Sequence, residues 1–342
     1  MSLSDYHATS GDWREQLRRN ERKSRMVIFT FIAVYIVVGL IVDVVILQSS
    51  YPQASISQCF VALITFKLVP YATIILAILA VVSLLVTYTF YDRLMLLGTD
   101  SREITLETAQ SLQEKQLYNV VEEMKVAAGL QYMPKVYIIE ANYMNAFASG
   151  YSEKSAMVAI TRGLMEKLDR AEMQAVMAHE LSHIRHHDIK LTLMVAILSN
   201  ILLIVIDVLF YSLLYKRERK GDNRLFLVII VLRYVLPLIT VMLALFLSRT
   251  RELMADSGAV ELMRDNEPMA RALIKINGDH QANAEEYSRE YGQTAHEQIR
   301  QASYLFDPSS FDPVKSFNNM FSTHPDIEKR LESIGFTKKS QK

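Results

Sequence analysis

Long runs of apolar residues alternate with polar stretches along this chain. Four runs reach the roughly 20 residues that a helix needs to cross the hydrocarbon core of a bilayer. They are residues 26–47, 69–91, 191–214 and 225–247. The pattern therefore predicts four transmembrane helices, of which the last two form a hairpin inserted into a more polar domain made of residues 92–190 and 248–342.

Basic residues before the first run set the expected orientation. Residues 1–25 form a basic tail, whereas the loop at residues 48–58 carries no charge. Positive loops stay in the cytoplasm, so the tail and the polar domain are predicted to be cytoplasmic. The first run is longer than the apolar part of a signal peptide, which favours a retained anchor.

The hairpin fits this orientation less well. Its connection, residues 215–224, is rich in Lys and Arg, and a hairpin that crosses the bilayer would place that loop outside. A hairpin that does not cross fully is the alternative. We favour crossing, because each arm is long enough alone. Asp207 and Arg233 then lie at similar depth on antiparallel helices and are predicted to pair, while Asp43 is expected to reach the interface.

The polar domain has the patterns of both helices and strands. Helical periodicity covers residues 106–130, and residues 135–140 and 156–160 are typical of strands. Residues 141–150 are expected to form a short third strand or an edge segment. The predicted fold class is α+β: a mostly α-helical membrane protein whose cytoplasmic domain contains a small β-sheet.

The next helix begins with a recognisable signal. Asp169 followed by Glu172 fits a capping box, in which two side chains satisfy the first backbone N–H groups of a helix. We expect this helix to continue through Lys190 into the third apolar run. It carries four of the eight histidines of the chain.

Composition excludes some classes of function. The formal net charge is zero, which argues against nucleic acid as a partner. Cys59 is the single cysteine, so neither an intramolecular disulfide nor a zinc–thiolate cluster is possible, and we interpret it as a small apolar residue. His7 and His280, isolated in polar segments, are expected to be exposed to solvent. His186 and His187 are interpreted as part of a basic collar at the lipid headgroups.

His179, Glu180 and His183 form the pattern H-E-x-x-H within the predicted helix. Residues four apart share a helical face, so both imidazoles can bind one zinc ion. Glu180 would then lie beside the open position of the metal and act as general base for a water molecule. The pattern predicts metal-assisted hydrolysis.

A catalytic zinc ion normally has three protein ligands. The extended pattern with a third histidine is excluded, since His186 and Ile189 occupy its glycine and final histidine positions. Downstream, Glu252 could be the third ligand, with Asp256 one turn later binding a ligand histidine. Spacing alone leaves other acidic residues open, namely Glu261 and Asp265.

Five motifs occur in a characteristic order: NAFASG (residues 145–150), TRGLM (161–165), MAHELSH (177–183), RELMAD (251–256) and STHP (322–325). In these motifs and in its apolar runs the chain resembles the HtpX family of bacterial membrane-bound zinc metalloproteases, which is related to the CAAX prenyl protease. The resemblance implies a gluzincin-type domain with one zinc ion per chain. It implies that His179, His183 and Glu252 are the ligands.

The remaining roles follow from the same resemblance. Glu180 would be the general base and Asp256 the acid that supports a ligand. Asn145, Ala146 and Phe147 match the edge segment that binds an extended substrate, and His324 is a candidate to stabilise the oxyanion.

The implied function is an endopeptidase of the bacterial inner membrane, with its active site on the cytoplasmic side. It would degrade damaged or misassembled membrane proteins. The alternatives are a CAAX-type prenyl-peptide protease, whose branch has more spans, and a membrane scaffold without activity. A scaffold has no need for an intact set of ligands and base, which favours the enzyme. The oligomeric state stays open.

Overall fold

The structure, a computed structural model, describes residues 2–8, 13–96, 99–150, 152–216, 223–293, 305 and 324–339. The chain divides into two compact units. One comprises residues 1–24, 88–191 and 247–342, and the other comprises residues 25–87 and 192–246. Each unit is assembled from stretches that are distant in sequence, because apolar helices interrupt the polar domain.

Helices dominate the described residues. They are α1 (Trp13–Ser50), α2 (Ile56–Ile64), α3 (Tyr71–Leu96), α4 (Leu112–Ala128), α5 (Arg162–Lys167), α6 (Arg170–Arg185), α7 (Asp188–Lys216), α8 (Asn223–Met263), α9 (Glu267–Ala282), α10 (Ala284–Gln293) and α11 (Ile327–Ser333). The strands are β1 (Tyr6–Ala8), β2 (Ser101–Ile104), β3 (Lys135–Ile139), β4 (Ala146–Ser149), β5 (Met157–Thr161) and β6 (Phe336–Lys338). A mostly helical chain with small sheets confirms that part of the predicted fold class.

A four-stranded sheet lies in the first unit, with the strand order β2-β3-β5-β4. β3 and β5 are parallel, and the two outer pairs are antiparallel. β3, β5 and the predicted third strand β4 lie where the sequence placed them. β2 was not predicted, because its four residues, Ser-Arg-Glu-Ile, are too polar and too few to show a strand pattern.

The core of this unit lies between the sheet and helices α4, α6 and α9. Helix α6 contacts α4, α9 and strand β4. The predicted capping box of α6 is present: Glu172 N–H donates to Asp169 at 2.8 Å and Asp169 N–H donates to Glu172 at 2.9 Å. Almost every residue of α6 from Met173 to Ile184 is buried. The apolar neighbours of its polar side chains keep water away from them.

The expectation that the active helix continues through Lys190 is wrong. α6 ends at Arg185, His187 adopts the left-handed conformation with φ of 56°, and α7 begins at Asp188. The N–H groups of His186 and His187 donate to the carbonyl groups of Ser182 and Ile184, which closes the helix end. The chain therefore changes direction just after the second ligand histidine.

A second, two-stranded sheet joins β1 to β6, with Tyr6 opposite Lys338 and Ala8 opposite Phe336. The sequence analysis did not predict it, since three residues are too few to show periodicity. The sheet brings together two segments that are separated by almost the whole sequence.

The second unit is a bundle of apolar helices. Its core contains buried residues of α1, α3, α7 and α8, among them Tyr35, Ala80, Leu202 and Ile229. Among the described residues, three helical segments are long and apolar enough to cross a membrane: Arg14–Ser50, Lys190–Ser212 and Phe226–Met263. The remaining predicted span, residues 69–91, overlaps α3. The apolar part of α3, Tyr71–Val86, is shorter than the other three segments.

Three charged residues in this bundle, Asp43, Asp207 and Arg233, have partners. Asp207 and Arg233 lie 3.2 Å apart, which confirms their predicted pairing. Asp43, expected at the interface, is buried within the unit and caps the N-terminus of α3. It accepts hydrogen bonds from the N–H groups of Ala72 (2.8 Å) and Thr73 (3.0 Å) and from the Thr73 hydroxyl (2.6 Å). Cys59 is buried, as interpreted.

Candidate active site

Three potential metal ligands converge in the first unit, two from α6 and one from α8. His179 Nε2 and His183 Nε2 lie 3.2 Å apart, and they are 3.7 and 3.5 Å from the carboxylate oxygens of Glu252. The alternatives are engaged elsewhere: Glu261 pairs with Arg185 at 3.2 Å, and Asp265 accepts a hydrogen bond from the Glu267 N–H. Among these acidic residues, Glu252 is the one that the fold brings beside both histidines.

The histidine rings are oriented so that they fit a cation. Nδ1 of His179 lies 3.0 Å from Asp256, and Nδ1 of His183 lies 2.6 Å from Asp188. A carboxylate beside each Nδ1 favours the tautomer with the proton on Nδ1, and the His183 Nδ1–Asp188 contact is a hydrogen bond. In this tautomer both Nε2 atoms are acceptors. Two lone pairs facing each other at 3.2 Å repel, unless a cation lies between them.

The spacing of the donor atoms also fits a metal ion. With zinc–nitrogen bonds of about 2.0–2.1 Å, tetrahedral ligands stand about 3.3 Å apart. The three separations here, 3.2, 3.5 and 3.7 Å, are close to that value. Two imidazoles and one carboxylate are a donor set typical of catalytic zinc sites.

Asp256 is itself held by a buried arginine. Arg330, on α11, donates from Nε and Nη2 to the two oxygens of Asp256 at 2.9 and 2.7 Å. It also lies 3.6 Å from Glu252. Sequence reasoning missed Arg330, because a single arginine in a short polar helix carries no distinguishing signal.

Asp188 was missed for a different reason. A helix that continued through Lys190 would direct the Asp188 side chain away from His183, whereas this side chain is buried and turns back toward His183. Its other oxygen forms an ion pair with Arg251, which precedes Glu252 and is also buried. The turn at His186 and His187 makes this contact possible, and no sequence pattern predicted the turn.

Glu180 lies buried in the same site. Burial, and then the negative charge of Glu252, raise the pKa of Glu180 well above its usual range, against opposing effects of the Ala148 N–H and Arg330. A carboxyl group with a raised pKa holds a proton more readily, which suits a group that takes up and then returns a proton.

The ligand groups are shifted toward the forms that bind a metal. Burial, reinforced by His179, lowers the pKa of His183 to about 3, so that its imidazole is neutral at physiological pH. Burial alone would raise the pKa of Glu252, but His324 and Arg330 outweigh it and the net shift is downward. A neutral imidazole and an ionised carboxylate are the forms that bind a cation.

Comparison with known proteins identifies the family. The model of peptidase family M48 matches residues 111–337, two thirds of the chain. The chain belongs to peptidase family M48. A protease HtpX homologue of Helicobacter pylori (strain Shi470) is 39% identical over 318 residues, 93% of this chain and 96% of that relative. A protease HtpX homologue of Dictyoglomus thermophilum is 36% identical over 222 residues, 64% of this chain and 68% of that relative.

One solved structure is similar over most of the chain. The crystal structure of Ste24p from S. mikatae covers 97% of this chain and 68% of that chain, with a TM-score of 0.48 and 16% sequence identity. Family membership and the apolar helices together make this M48 chain a multi-pass membrane metalloprotease. The prediction of the family from its motifs is confirmed.

The edge segment expected to bind substrate forms β4, at the border of the described sheet. Ala146 directs its backbone groups away from β5: its N–H donates to the Asn145 side chain at 3.0 Å and its carbonyl accepts from the Leu305 N–H at 2.9 Å. The backbone N–H and C=O groups of the next residue, Phe147, point toward β5, because the direction of these groups alternates along a strand. The outward carbonyl of Ala146 is thus the group that an extended peptide would use.

Two other histidines have definite positions. His324 is buried with Nδ1 3.3 Å from the carboxylate of Glu252, so it lies beside the candidate metal-binding group. The interpretation of His280 as exposed is wrong: it is buried, and its Nε2 lies 2.8 Å from the Met144 carbonyl. It lies on the apolar face of α9, four and seven positions after Ile276 and Leu273, a spacing that could have indicated burial. Of the STHP motif, Ser322 and Thr323 lie outside the described residues.

Proposed function

We propose that this chain is a zinc-dependent endopeptidase of the bacterial inner membrane, with its proteolytic unit on the cytoplasmic side. It hydrolyses peptide bonds in damaged or misassembled membrane proteins. The proteolytic reaction class follows from family membership, and the named substrates come from the resemblance to HtpX proteins.

One observation carries the zinc proposal: the two Nε2 acceptors and the Glu252 carboxylate surround a single position, with Glu180 buried beside them. The charges agree. Asp256 is neutralised by Arg330 and Asp188 by Arg251, which leaves the ionised carboxylate of Glu252 to bind a divalent cation. Bound there, zinc supplies a lowered pKa for a water molecule and polarises the carbonyl of the substrate.

The side chains of this chain supply the rest of the reaction. Glu180 takes a proton from the attacking water and passes it to the leaving amine, for which its raised pKa is suited. His324, beside Glu252, is placed to donate to the oxygen on which negative charge develops. The apolar surroundings of α6 exclude bulk water, which strengthens both interactions.

Substrate selection follows from the edge strand. An extended peptide adds to β4 through main-chain hydrogen bonds, with Ala146 as acceptor and Asn145 fixing the start of the strand. Main-chain recognition tolerates many sequences, which suits an enzyme that acts on unfolded segments. Peptides must be extended to bind, so folded substrates are excluded.

The decisive experiment uses full-length protein in detergent with casein as an unfolded substrate. Glu180→Gln removes the base and leaves the ligands, so zinc content should match wild type while cleavage falls by about 10²–10⁴-fold. Glu261→Gln, the same chemical change at a residue that pairs with Arg185, is the matched control and should keep full activity. Unchanged cleavage by Glu180→Gln protein would falsify the proposed mechanism.

We further propose four spans, at residues 26–47, 69–91, 191–214 and 225–247. A cysteine introduced at Lys220 in a Cys59→Ser background tests the hairpin, using a membrane-impermeant maleimide on intact cells. Crossing predicts labelling at Lys220, whereas Leu112→Cys, exposed on the proteolytic unit, should react only after lysis. Protection of Lys220 until lysis would show that the hairpin does not cross.

A further inference from the structure

Each histidine of the candidate metal site has an aspartate beside its Nδ1. Asp256 lies 3.0 Å from Nδ1 of His179, and Asp188 forms a hydrogen bond of 2.6 Å with Nδ1 of His183. Each aspartate is in turn paired with a buried arginine, Arg330 for the first and Arg251 for the second. Of these two aspartates, only Asp256 belongs to one of the sequence motifs.

We propose that Asp188 is a positioning residue for His183, and that Arg251 fixes Asp188 and links it to the helix of the third ligand. The inference rests on the proposed function, because it concerns how the chain holds its zinc ligands. In this arrangement Asp188 selects the Nδ1–H tautomer of His183 and keeps Nε2 directed at the metal position.

The turn after α6 allows Asp188 to contact His183. On a continuous helix, a residue five positions after His183 would lie about 140° around the axis, on another face. The left-handed conformation of His187 ends α6 and restarts the chain at Asp188, which allows its carboxylate to reach back. A non-glycine residue in this conformation is uncommon and strained, so the surrounding contacts must stabilise it.

Arg251 supplies these contacts. Its guanidinium donates to the His186 carbonyl at 2.9 Å and forms the ion pair with Asp188. Arg251 directly precedes Glu252 on α8, so the same side chain ties the turn to the segment that carries the third ligand. Both partners are about 5% exposed or less, and removal of either one leaves a buried charge without compensation.

The test measures the affinity of full-length protein for zinc(II), by competition with a chelator, and the visible absorption of its cobalt(II) form. Asp188→Asn removes the carboxylate charge, and the affinity for zinc should fall by about 10–100-fold. The cobalt(II) absorption should change as His183 loses its fixed orientation. Glu261→Gln is the matched control and should resemble wild type in both measurements.

A second variant separates positioning from stability. Asp188→Asn leaves Arg251 unpaired and is expected to lower the unfolding temperature. The double variant Asp188→Asn/Arg251→Gln removes that charge, so its unfolding temperature should recover while zinc affinity stays low. Recovery of zinc affinity together with stability would overturn the inference.

The failures of the two proposals differ. If wild-type protein binds zinc no more tightly than His183→Ala protein, the proposed zinc site falls and the inference with it. If wild type binds zinc and Asp188→Asn binds it equally well, the inference alone is overturned.

Discussion

Arg330 holds both oxygens of Asp256, at 2.9 and 2.7 Å, across 74 positions of sequence. Asp256 then holds Nδ1 of His179 at 3.0 Å. A guanidinium has a planar fork that matches a carboxylate, so this pairing fixes direction as well as charge. The orientation of His179 therefore depends on α11, a helix near the C-terminal end of the sequence.

Replacement of Arg330 should weaken metal binding. Arg330→Met leaves Asp256 buried without a counter-charge, which should cost about 3–5 kcal/mol of unfolding free energy. Arg330→Lys keeps the charge but loses the fork, so zinc affinity should still fall by roughly 10-fold. Chelator competition and thermal unfolding measure the two effects. Arg170→Met, at an exposed pair with Glu123, is the control, and equal zinc affinity in Arg330→Lys and wild type would contradict the prediction.

Leu305 occupies the backbone carbonyl of β4 that we propose as an acceptor for a peptide substrate. Its N–H occupies the Ala146 carbonyl, while its own carbonyl accepts from Arg330 at 2.7 Å. Leu305→Pro removes the donor, so the KM for an unfolded peptide should fall several-fold. Leu305→Ala keeps the N–H and loses the buried apolar side chain, and it serves as control. Equal KM values for the two variants would show that the substrate does not bind the Ala146 carbonyl.

Gly258 permits the close approach of α8 to α6. A Cβ atom there would lie 2.5 Å from the hydroxyl oxygen and 2.9 Å from the Cβ of Ser182, between the two ligand histidines. Gly258→Ala should lower the free energy of unfolding by about 1–3 kcal/mol, despite the better helix propensity of alanine. Chemical unfolding and zinc content report the effect.

Gly278 provides the comparison. It lies within α9, and a Cβ atom there meets nothing within 4 Å. Gly278→Ala should therefore stabilise the protein by about 0.5–1 kcal/mol. A destabilised Gly278→Ala together with a neutral Gly258→Ala would contradict the packing of α6 against α8.

Exchange of the charges of Asp207 and Arg233 should lower the stability of the protein less than removal of one of them. Asp207→Asn or Arg233→Gln leaves one charge of the pair alone within the apolar hairpin, where charges are unfavourable. Each single variant should unfold at a lower temperature in detergent. The exchanged variant Asp207→Arg/Arg233→Asp should recover at least part of the loss. Arg233 also lies 4.1 Å from the Phe210 ring, a contact that the exchange does not restore. An exchanged variant less stable than either single variant would contradict a direct pairing.

The sequence was sufficient for the residues that belong to short motifs. His179, Glu180 and His183 lie on one predicted helix, and its capping box was visible three residues apart. The resemblance to a family chose Glu252 over Glu261 and Asp265, which spacing had left open. These residues could be predicted because they lie close together in sequence or belong to motifs shared with a known family.

The residues that support the site could not be predicted in that way. Asp188 reaches His183 only because His187 turns the chain, and the conformation of one residue is decided by contacts made after folding. Arg330 meets Asp256 through tertiary packing, which leaves no periodicity in the sequence. Burial of His280 was visible in principle, since its spacing matches the apolar face of α9.

The position of Arg330 in the chain sets the order in which the site can be completed during synthesis. A ribosome makes about 5–20 residues per second, so α11 follows the histidine helix by roughly 10 s. Until then Asp256 has no counter-charge, and the first ligand has no fixed direction. The β1–β6 sheet, which joins residues 6–8 to residues 336–338, closes in the same late step. Arg330 therefore completes the support of His179 only after all the apolar helices of the chain have been synthesised.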